Sequence, residues 1–343
     1  MTTEPPTPRK RSPWLSPGRL AGTGLFLLAL AVIAAWIAPA NGYELQLVDP
    51  AHPVAPLIRI AGHHEARRPG TIYFVDVRER PARLIERLVP WVRADGSSLV
   101  QTQVSSSLER RLAQVEMADS QKIAPYVALR LLGYRASLRI GGVTVLDVER
   151  DAPAARVLRP SDMIVGIDGH TIQSIADLRA ALAHKRPGDR VAVRFRRDGK
   201  VRQARLETAA DPIDRSRAII GISASDDLQV QLPFKITIDA QGIGGPSAGL
   251  AFALDILQEL GRDVSHGLRV AATGELGTDG EVLEIGGIKQ KTLGARRAGV
   301  DVFLVPAGKN ARDARRYADG LRIVPVENLR QALRALATIG RKD

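Results

Sequence analysis

Residues 239–257 read DAQGIGGPSAGLAFALDIL and place four glycines and one proline around Ser247, directly before an apolar segment. Glycine loses more conformational freedom on folding than any other residue, so a cluster of glycines needs a reason. Pro246 suits the start of a helix. Leucines follow at three- and four-residue steps, at Leu250, Leu254, Leu257 and Leu260. The pattern predicts an amphipathic helix over 247–260, with Ser247 at its N-terminus.

This position suits a serine nucleophile. A helix N-terminus presents free backbone N–H groups and the positive end of the helix dipole, which favour negative charge. The attack of a serine on a carbonyl creates an oxyanion that needs such an environment. Glycines on either side of Ser247 let a substrate backbone approach closely. The plain alternative is that Ser247 is only an N-cap and that the glycines form a turn.

A serine nucleophile needs a nearby base that takes its proton. Residues 245–249 match the G-x-S-x-G pattern of α/β-hydrolases, which also needs an acid and a histidine later in the chain. Only His266 follows Ser247, and it comes just after the helix that the serine opens, which argues against that triad. A lysine is the remaining candidate base. The stretch GEVLEIGGIKQK places Lys289 and Lys291 after a second glycine pair, among apolar residues. A lysine is a base only when neutral, so its pKa must fall from about 10.4 toward 7 through burial and its neighbours.

Composition excludes other classes of function. The net charge of +12 raises nucleic acid as a partner, but the arginines are scattered, no binding motif frames them and aromatic residues are only 4%. The absence of cysteine excludes disulfides and thiol catalysis, and the histidines lack the spacing of a metal site. Neither Gly199-Lys200 nor Gly308-Lys309 belongs to a phosphate-binding loop. The sequence therefore predicts no nucleic-acid partner, no metal, no cofactor and no ATPase in this chain.

The N-terminus predicts a membrane anchor. Residues 20–42 carry no charge and are mostly apolar, and about 20 apolar residues span a bilayer. Residues 1–19 carry four basic residues and one acidic residue, so the positive-inside rule keeps them cytoplasmic and sends the body across the membrane. Cleavage after Ala40, with release of the body, is the alternative that the sequence leaves open.

The region that follows, residues 43–125, has no sequence motif that is typical of a catalytic site. It contains a strand-like stretch, TIYFVDV, at 71–77, and a helix that begins at Ser107 and that Pro125 is expected to end or kink. We interpret this extracytoplasmic α/β region as a connecting or docking module.

From Ala136 to Thr208 the pattern changes to short strands, with a hairpin signal at Asp198-Gly199. The stretches APAARV, LRPSDMIVGIDGHTI and PGDRVAVRFRRDG resemble a PDZ domain of the bacterial type, to which we assign residues 126–210. PDZ domains capture extended peptides by adding a strand to an open sheet edge, often reading a terminal carboxylate. Residues 133–140 are a candidate for that carboxylate loop. Alternatively, the module is only a spacer.

Three ordered motifs, GIGGPSAGLAFAL, AATGELGTDGEVLEIGGIKQK and RRAGVDVFLVPAGK, closely resemble the proteolytic domain of Lon-type serine proteases over residues 215–340. The resemblance implies that Ser247 is the nucleophile and Lys291 the general base. It also matches Thr273 to a threonine that hydrogen-bonds the lysine in the family.

One departure from the family concerns the motif around Gly245 and Pro246. Many Lon proteases carry an acidic residue two positions before the proline, where this chain has Gly244. The GGPSAG form itself resembles a membrane-anchored PDZ–Lon subfamily of bacteria. The resemblance further implies that homo-oligomers, commonly rings, are an assembly to expect.

Together these observations predict a multidomain α+β protein with an N-terminal transmembrane helix, a PDZ-like β-rich domain and a Lon-type α/β proteolytic domain. Its predicted function is that of an ATP-independent, membrane-anchored serine endopeptidase that cleaves protein or peptide substrates outside the cytoplasmic membrane. Its predicted partners are those substrates and the lipid bilayer. The alternative is an inactive peptide-binding scaffold with a degenerate protease domain, against which the intact Ser247 and Lys291 argue.

Overall fold

The computed structural model describes residues 17–62, 70–102, 106–240 and 242–340. Most of the predicted cytoplasmic tail therefore lies outside the described residues. The chain forms two compact units, one from residues 1–47 and 78–103 and one from residues 48–77 and 104–343.

The α-helices are α1 (Pro17–Ile37), α2 (Leu84–Leu88), α3 (Ser106–Leu131), α4 (Ile175–Ala183), α5 (Gly249–Glu259), α6 (Ile288–Arg297), α7 (Lys309–Arg316) and α8 (Leu329–Ile339). The strands are β1 (Pro39–Val48), β2 (His52–Pro53), β3 (Ile58–Ile60), β4 (Thr71–Phe74), β5 (Val77–Arg83), β6 (Ser98–Gln101), β7 (Ser137–Val148), β8 (Met163–Ile167), β9 (His170–Thr171), β10 (Arg190–Arg197), β11 (Lys200–Glu207), β12 (Ala209–Ala210), β13 (Ala218–Ile219), β14 (Ile222–Gln231), β15 (Ile236–Ile238), β16 (Arg269–Ala272), β17 (Glu275–Leu276), β18 (Val282–Leu283), β19 (Val302–Pro306) and β20 (Arg322–Val326).

The first unit contains α1, α2 and a three-stranded sheet in the order β5-β1-β6. The predicted helix over 20–42 is shorter than expected at its C-terminal end, because α1 ends at Ile37 and the chain enters β1 at Pro39. A proline disfavours helical backbone in the residue before it, which explains this boundary. Among the described residues, no helix combines the length and the hydropathy that crossing a bilayer requires.

The second unit contains the predicted PDZ-like module as an antiparallel sheet in the order β11-β10-β8-β7-β14, with β9 paired to β8. Asp198 and Gly199 both have positive φ in the β10–β11 turn, as the hairpin signal predicts. The last strand, β14, comes from beyond the predicted boundary at residue 210. It pairs with β7 from Ile222↔Val148 to Gln231↔Ser137, so a later part of the chain completes this sheet.

The same unit contains a second sheet in the order β2-β4-β16-β19-β20, in which β4, β16, β19 and β20 run parallel. Buried residues of α3, α5 and α8 share one hydrophobic cluster with this sheet, and buried residues of α6 and α7 share another. Strand β4 belongs to the region interpreted as a connecting module, yet it pairs with β16 at the centre of the sheet. Residues 71–74 are therefore part of the core that surrounds the predicted proteolytic site.

Two predicted helices differ in detail from the observed ones. Helix α5 begins at Gly249 with Ala248 as its N-cap, and it is buried on all sides from Gly249 to Gln258 rather than amphipathic. Helix α3 continues through Pro125 to Leu131. Its residues Ala124 and Ala128 are fully buried in the same cluster as α5, and we attribute the tolerance of the proline to this packing.

Asp255 gives a test of the α5 packing. This carboxyl group is 1% exposed, and burial, aided by the charge of Glu259, raises its pKa to about 8. The unfolded chain releases this proton near pH 4, so the neutral group supports the fold fully at low pH and its contribution falls as the pH rises toward 8. We expect Asp255→Asn to remove this loss. The difference in unfolding free energy between variant and wild type, measured by denaturant titration, should grow between pH 5 and pH 8 by up to about 1.4 kcal/mol per pH unit. A constant difference over that range would contradict the assignment.

Candidate active site

The structure brings Ser247 and Lys291 together. The Nζ atom of Lys291 donates a hydrogen bond of 2.6 Å to Oγ of Ser247. Lys291 lies on α6 and is only 5% exposed, whereas Ser247 lies in the half-buried loop just before α5. A lysine amine at this distance from a serine hydroxyl can accept its proton when the amine is neutral, which is the geometry of an activated nucleophile.

Two glycines explain how α6 brings its lysine so close. Gly287 caps the helix in the left-handed conformation, with φ 67°. A Cβ atom there would lie 2.6 Å from the side chain of Val77, and one at Gly294 would lie 2.1 Å from the backbone oxygen of Asp49. Residues 287, 291 and 294 share one helix face. This face therefore packs directly against the segments around Asp49 and Val77.

The second lysine of the motif points elsewhere. Two positions apart on a helix are about 200° apart, so Lys289 and Lys291 cannot face the same group. The Nζ atom of Lys289 lies 5.8 Å from the ring centroid of Tyr317. Of the two lysines, it is therefore Lys291 that meets Ser247.

Helix α3 makes two hydrogen bonds to the loop that carries Ser247. Oγ of Ser120 donates to the backbone oxygen of Pro246 at 2.9 Å, and the backbone N–H of Gly245 donates to the oxygen of Ala113 at 2.7 Å. Gly245 has φ 84°, a backbone conformation that glycine adopts without strain. Sequence reasoning missed Ser120 because no local motif links it to a loop 126 residues further along the chain.

Thr273 contacts the same loop from the other side. It is fully buried, and its hydroxyl donates to the backbone oxygen of Ser247 at 3.2 Å. The N–H of Gly274 donates to the same oxygen at 2.9 Å, and the N–H of Leu250 donates to the oxygen of Gly274 at 3.2 Å. The chain after β16 therefore fixes the backbone of the serine at the start of α5.

A group of ionisable residues lies on the segments that α6 contacts. Asp49, His52 and Asp76 each have a potential metal-ligand atom within 4.8 Å of the others, so they could hold a metal ion. Nε2 of His52 lies 2.9 Å from Oδ2 of Asp49. Burial, followed by the charge of Asp49, raises the pKa of Asp76. No sequence motif predicted this group, since two separate segments contribute to it.

A cavity of about 720 Å³ lies in the PDZ-like module, between α4 and the chain around β13 and β14. Its apolar lining includes Ile175, Leu178 and Leu182 of α4, and Ile220 and Ile222 of the facing segment. None of the lining residues comes from 133–140, the candidate carboxylate loop. The structure places Ser137–Ile140 in β7 instead, paired with β14.

Comparison with known proteins matches two parts of the chain to known domain families. Residues 114–208 match the family of PDZ domains, and residues 220–338 match the Lon protease (S16) C-terminal proteolytic domain. The Lon protease of Buchnera aphidicola subsp. Schizaphis graminum is 31% identical over 140 residues, which are 40% of this chain and 18% of that protein. Lon protease 1 of Myxococcus xanthus is 43% identical over 94 residues, which are 26% of this chain and 11% of that protein.

Among solved structures, the PDZ domain of an SdrC-like protein from Listeria monocytogenes is 33% identical, covering 24% of this chain and 86% of that one, with a TM-score of 0.23. The chain spans less than a fifth of the length of the Lon proteases named above. The two domain matches and these relatives support a Lon-type protease that contains a PDZ domain.

Proposed function

We propose that this protein is a serine peptidase that uses a Ser247–Lys291 dyad and needs no ATP. The observation that carries the proposal is the 2.6 Å hydrogen bond between the buried amine and the serine hydroxyl. Ser247 attacks the peptide carbonyl, and neutral Lys291 takes its proton and passes it to the leaving amine. Water then hydrolyses the acyl-enzyme with Lys291 as the base.

The oxyanion needs N–H donors beside the serine. The N–H groups of Gly249 and Leu250 already donate to the backbone oxygens of Pro246 and Gly274. We therefore assign the oxyanion to the N–H groups of Ser247 and Ala248, which lie just before the N-terminus of α5.

Substitution of Ser247 and of Lys291, singly and together, tests the dyad. Ser247→Ala and Lys291→Ala should each lower kcat/KM for a fluorogenic peptide by about 10³-fold or more, and the double variant should be no worse, because the two groups act as one unit. Lys291→Arg should be equally inactive, since a guanidinium stays charged. Wild-type activity should rise with pH as the lysine loses its proton, and nucleotide-free protein should need no added ATP.

Lys289→Ala is the matched control and should keep most of the activity, since Lys289 faces Tyr317. An active Lys291→Ala protein beside an inactive Lys289→Ala protein would refute the assignment of the base. A folded wild type that cleaves no peptide would favour the inactive scaffold.

We further propose that the PDZ-like module recruits substrates in the cavity between α4 and β14. In the described part of the chain, β14 is the last strand of its sheet, and a peptide can extend such an edge by backbone pairing. The apolar lining from Leu178, Ile220 and Ile222 suits an apolar peptide side chain. Oδ1 of Asp226 on β14 accepts a 2.6 Å bond from the N–H of Ile175, which fixes the start of α4 beside this strand.

A point substitution in this cavity tests recruitment better than deletion of the module. Deletion would remove β7, the strand with which β14 pairs, and so would disturb the fold as well. Ile222→Asp should weaken cleavage of an unfolded protein substrate about tenfold, through weaker binding, while cleavage of a short peptide stays unchanged. Val201→Asp is the control, because Val201 is exposed on β11 at the opposite end of the sheet. Equal loss on both substrates, with the fold intact, would refute recruitment and favour a structural role.

We also propose that the chain is anchored in the cytoplasmic membrane with its body outside. This proposal is supported by the uncharged stretch 20–42 and its basic flank in the sequence. The side chains of Leu25, Phe26 and Ile37 on α1 are exposed.

Protease added to intact spheroplasts should digest the C-terminal domain. Immunoblotting against a C-terminal tag measures this digestion. A cytoplasmic protein should stay intact as the control. Complete protection of the tagged domain until the membrane is lysed would refute this orientation.

A further inference from the structure

Two large apolar side chains of the first unit lie outside its core. Trp91 is 84% exposed and Leu88 is 63% exposed. The buried cluster of this unit is small, with Ala40, Leu45 and Ala82 at its centre, and neither Leu88 nor Trp91 belongs to it. Large apolar groups that are exposed close together mark an interaction surface. This part of the first unit therefore needs a partner.

The segment that carries these side chains is bonded to the end of α1. The backbone N–H of Leu84, the first residue of α2, donates to the oxygen of Ala38 at 2.9 Å, one residue after α1 ends. Helix α2 contacts α1, and the 3-10 turn Pro90–Val92 follows α2 after one residue. Ile37, the last residue of α1, is itself 77% exposed. The exposed apolar groups at the end of α1 and those of the α2 segment are therefore close neighbours within the first unit.

Two arginines of the same segment lie against aromatic rings. The Cζ atom of Arg83 lies 5.6 Å from the ring centroid of Trp36, and that of Arg87 lies 4.5 Å from the ring centroid of Tyr43. Both arginines are exposed, and within the described part of the chain neither has a carboxylate partner. The acid of α2, Glu86, is buried and pairs with Arg80 instead. The guanidinium groups of Arg83 and Arg87 can therefore also bind an anionic group from outside the unit.

A phospholipid bilayer offers what these residues require. Tryptophan and tyrosine are enriched where a membrane meets water, because each has an apolar ring and a polar N–H or O–H group. Arginine covers apolar surface with its stem and keeps its charged end among polar groups, where lipid phosphates are anionic partners. One end of a helix that enters a membrane lies at this level. Because α2 is bonded to the end of α1, its exposed groups lie within reach of the same lipids.

We propose that Leu88 and Trp91 enter the headgroup region of the bilayer around the end of α1, with Arg83 and Arg87 bound to lipid phosphates. The first unit then contacts the membrane at two places, through α1 and through this surface. The inference rests on the proposed anchoring of the chain by α1 and adds a lipid-binding surface to it.

Spin labelling tests this surface directly, because the chain has no cysteine and a label can be attached at one introduced cysteine. Full-length Trp91→Cys protein is labelled and reconstituted into vesicles of phosphatidylethanolamine and phosphatidylglycerol. Collisions of the label with oxygen, and with a water-soluble nickel complex present on both sides of the membrane, are measured by electron paramagnetic resonance and give its depth. The label at position 91 should lie about 5–10 Å inside the headgroup boundary. A label introduced through Leu88→Cys should be protected from the nickel complex in the same way.

Ile213→Cys is the matched control. Ile213 is also apolar and is 95% exposed, but it lies between β12 and β13 in the second unit. Its label should stay open to the nickel complex. Equal protection of the labels at 91 and 213 would show that vesicles adsorb the protein without selecting this surface, and would overturn the proposal.

Flotation of the vesicles in a density gradient separates this inference from the anchoring on which it rests. If the protein floats with the vesicles while the label at 91 is as open to the nickel complex as the label at 213, the proposed surface is wrong and the anchoring stands. If the protein does not float, the anchoring is wrong and the lipid-binding surface fails with it.

Discussion

The contact on which the rest of the site depends is the hydrogen bond between a buried lysine amine and a serine hydroxyl. Burial disfavours the charged form of an amine, and it is this desolvation that makes a lysine usable as a base. Desolvation also requires that nothing beside the lysine is loosely packed. The structure meets this requirement with glycines at 287 and 294, four positions before and three after Lys291, where a Cβ atom would collide with Val77 and with the backbone of Asp49. Helix α6 can then lie directly on the neighbouring backbone.

The serine is fixed by contacts from elements that are far apart in the chain. Helix α3 holds Pro246 through Ser120, and the chain after β16 holds the backbone oxygen of Ser247 through Thr273 and Gly274. A hydrogen bond of 2.6 Å needs both partners to be placed within a few tenths of an ångström. Contacts on both sides of the loop provide that placement.

Local patterns predicted the parts of the site that are local. The glycine-rich turn, the helix after it and the 200° separation of Lys289 and Lys291 follow from spacing along one short stretch each. The contributions of Ser120 and β4 could not be predicted in this way, because they depend on which distant segments meet in the folded chain. The boundary of α3 was missed for a related reason, since Pro125 disrupts an isolated helix but is retained where the helix packs against a buried partner.

Strand β14 shows why domain boundaries drawn from motifs are physically incomplete here. It lies within the stretch that matches the Lon proteolytic domain, yet its backbone pairs with β7 of the PDZ-like sheet over nearly the whole length of both strands. Residues 136–208 therefore cannot be removed without exposing one edge of β14, and unpaired strand edges promote aggregation. From β14 the chain passes through β15 into the loop that carries Ser247. The PDZ-like sheet and the loop that carries Ser247 are thus consecutive parts of one continuous piece of backbone, and the sheet is incomplete without the chain that leads to that loop.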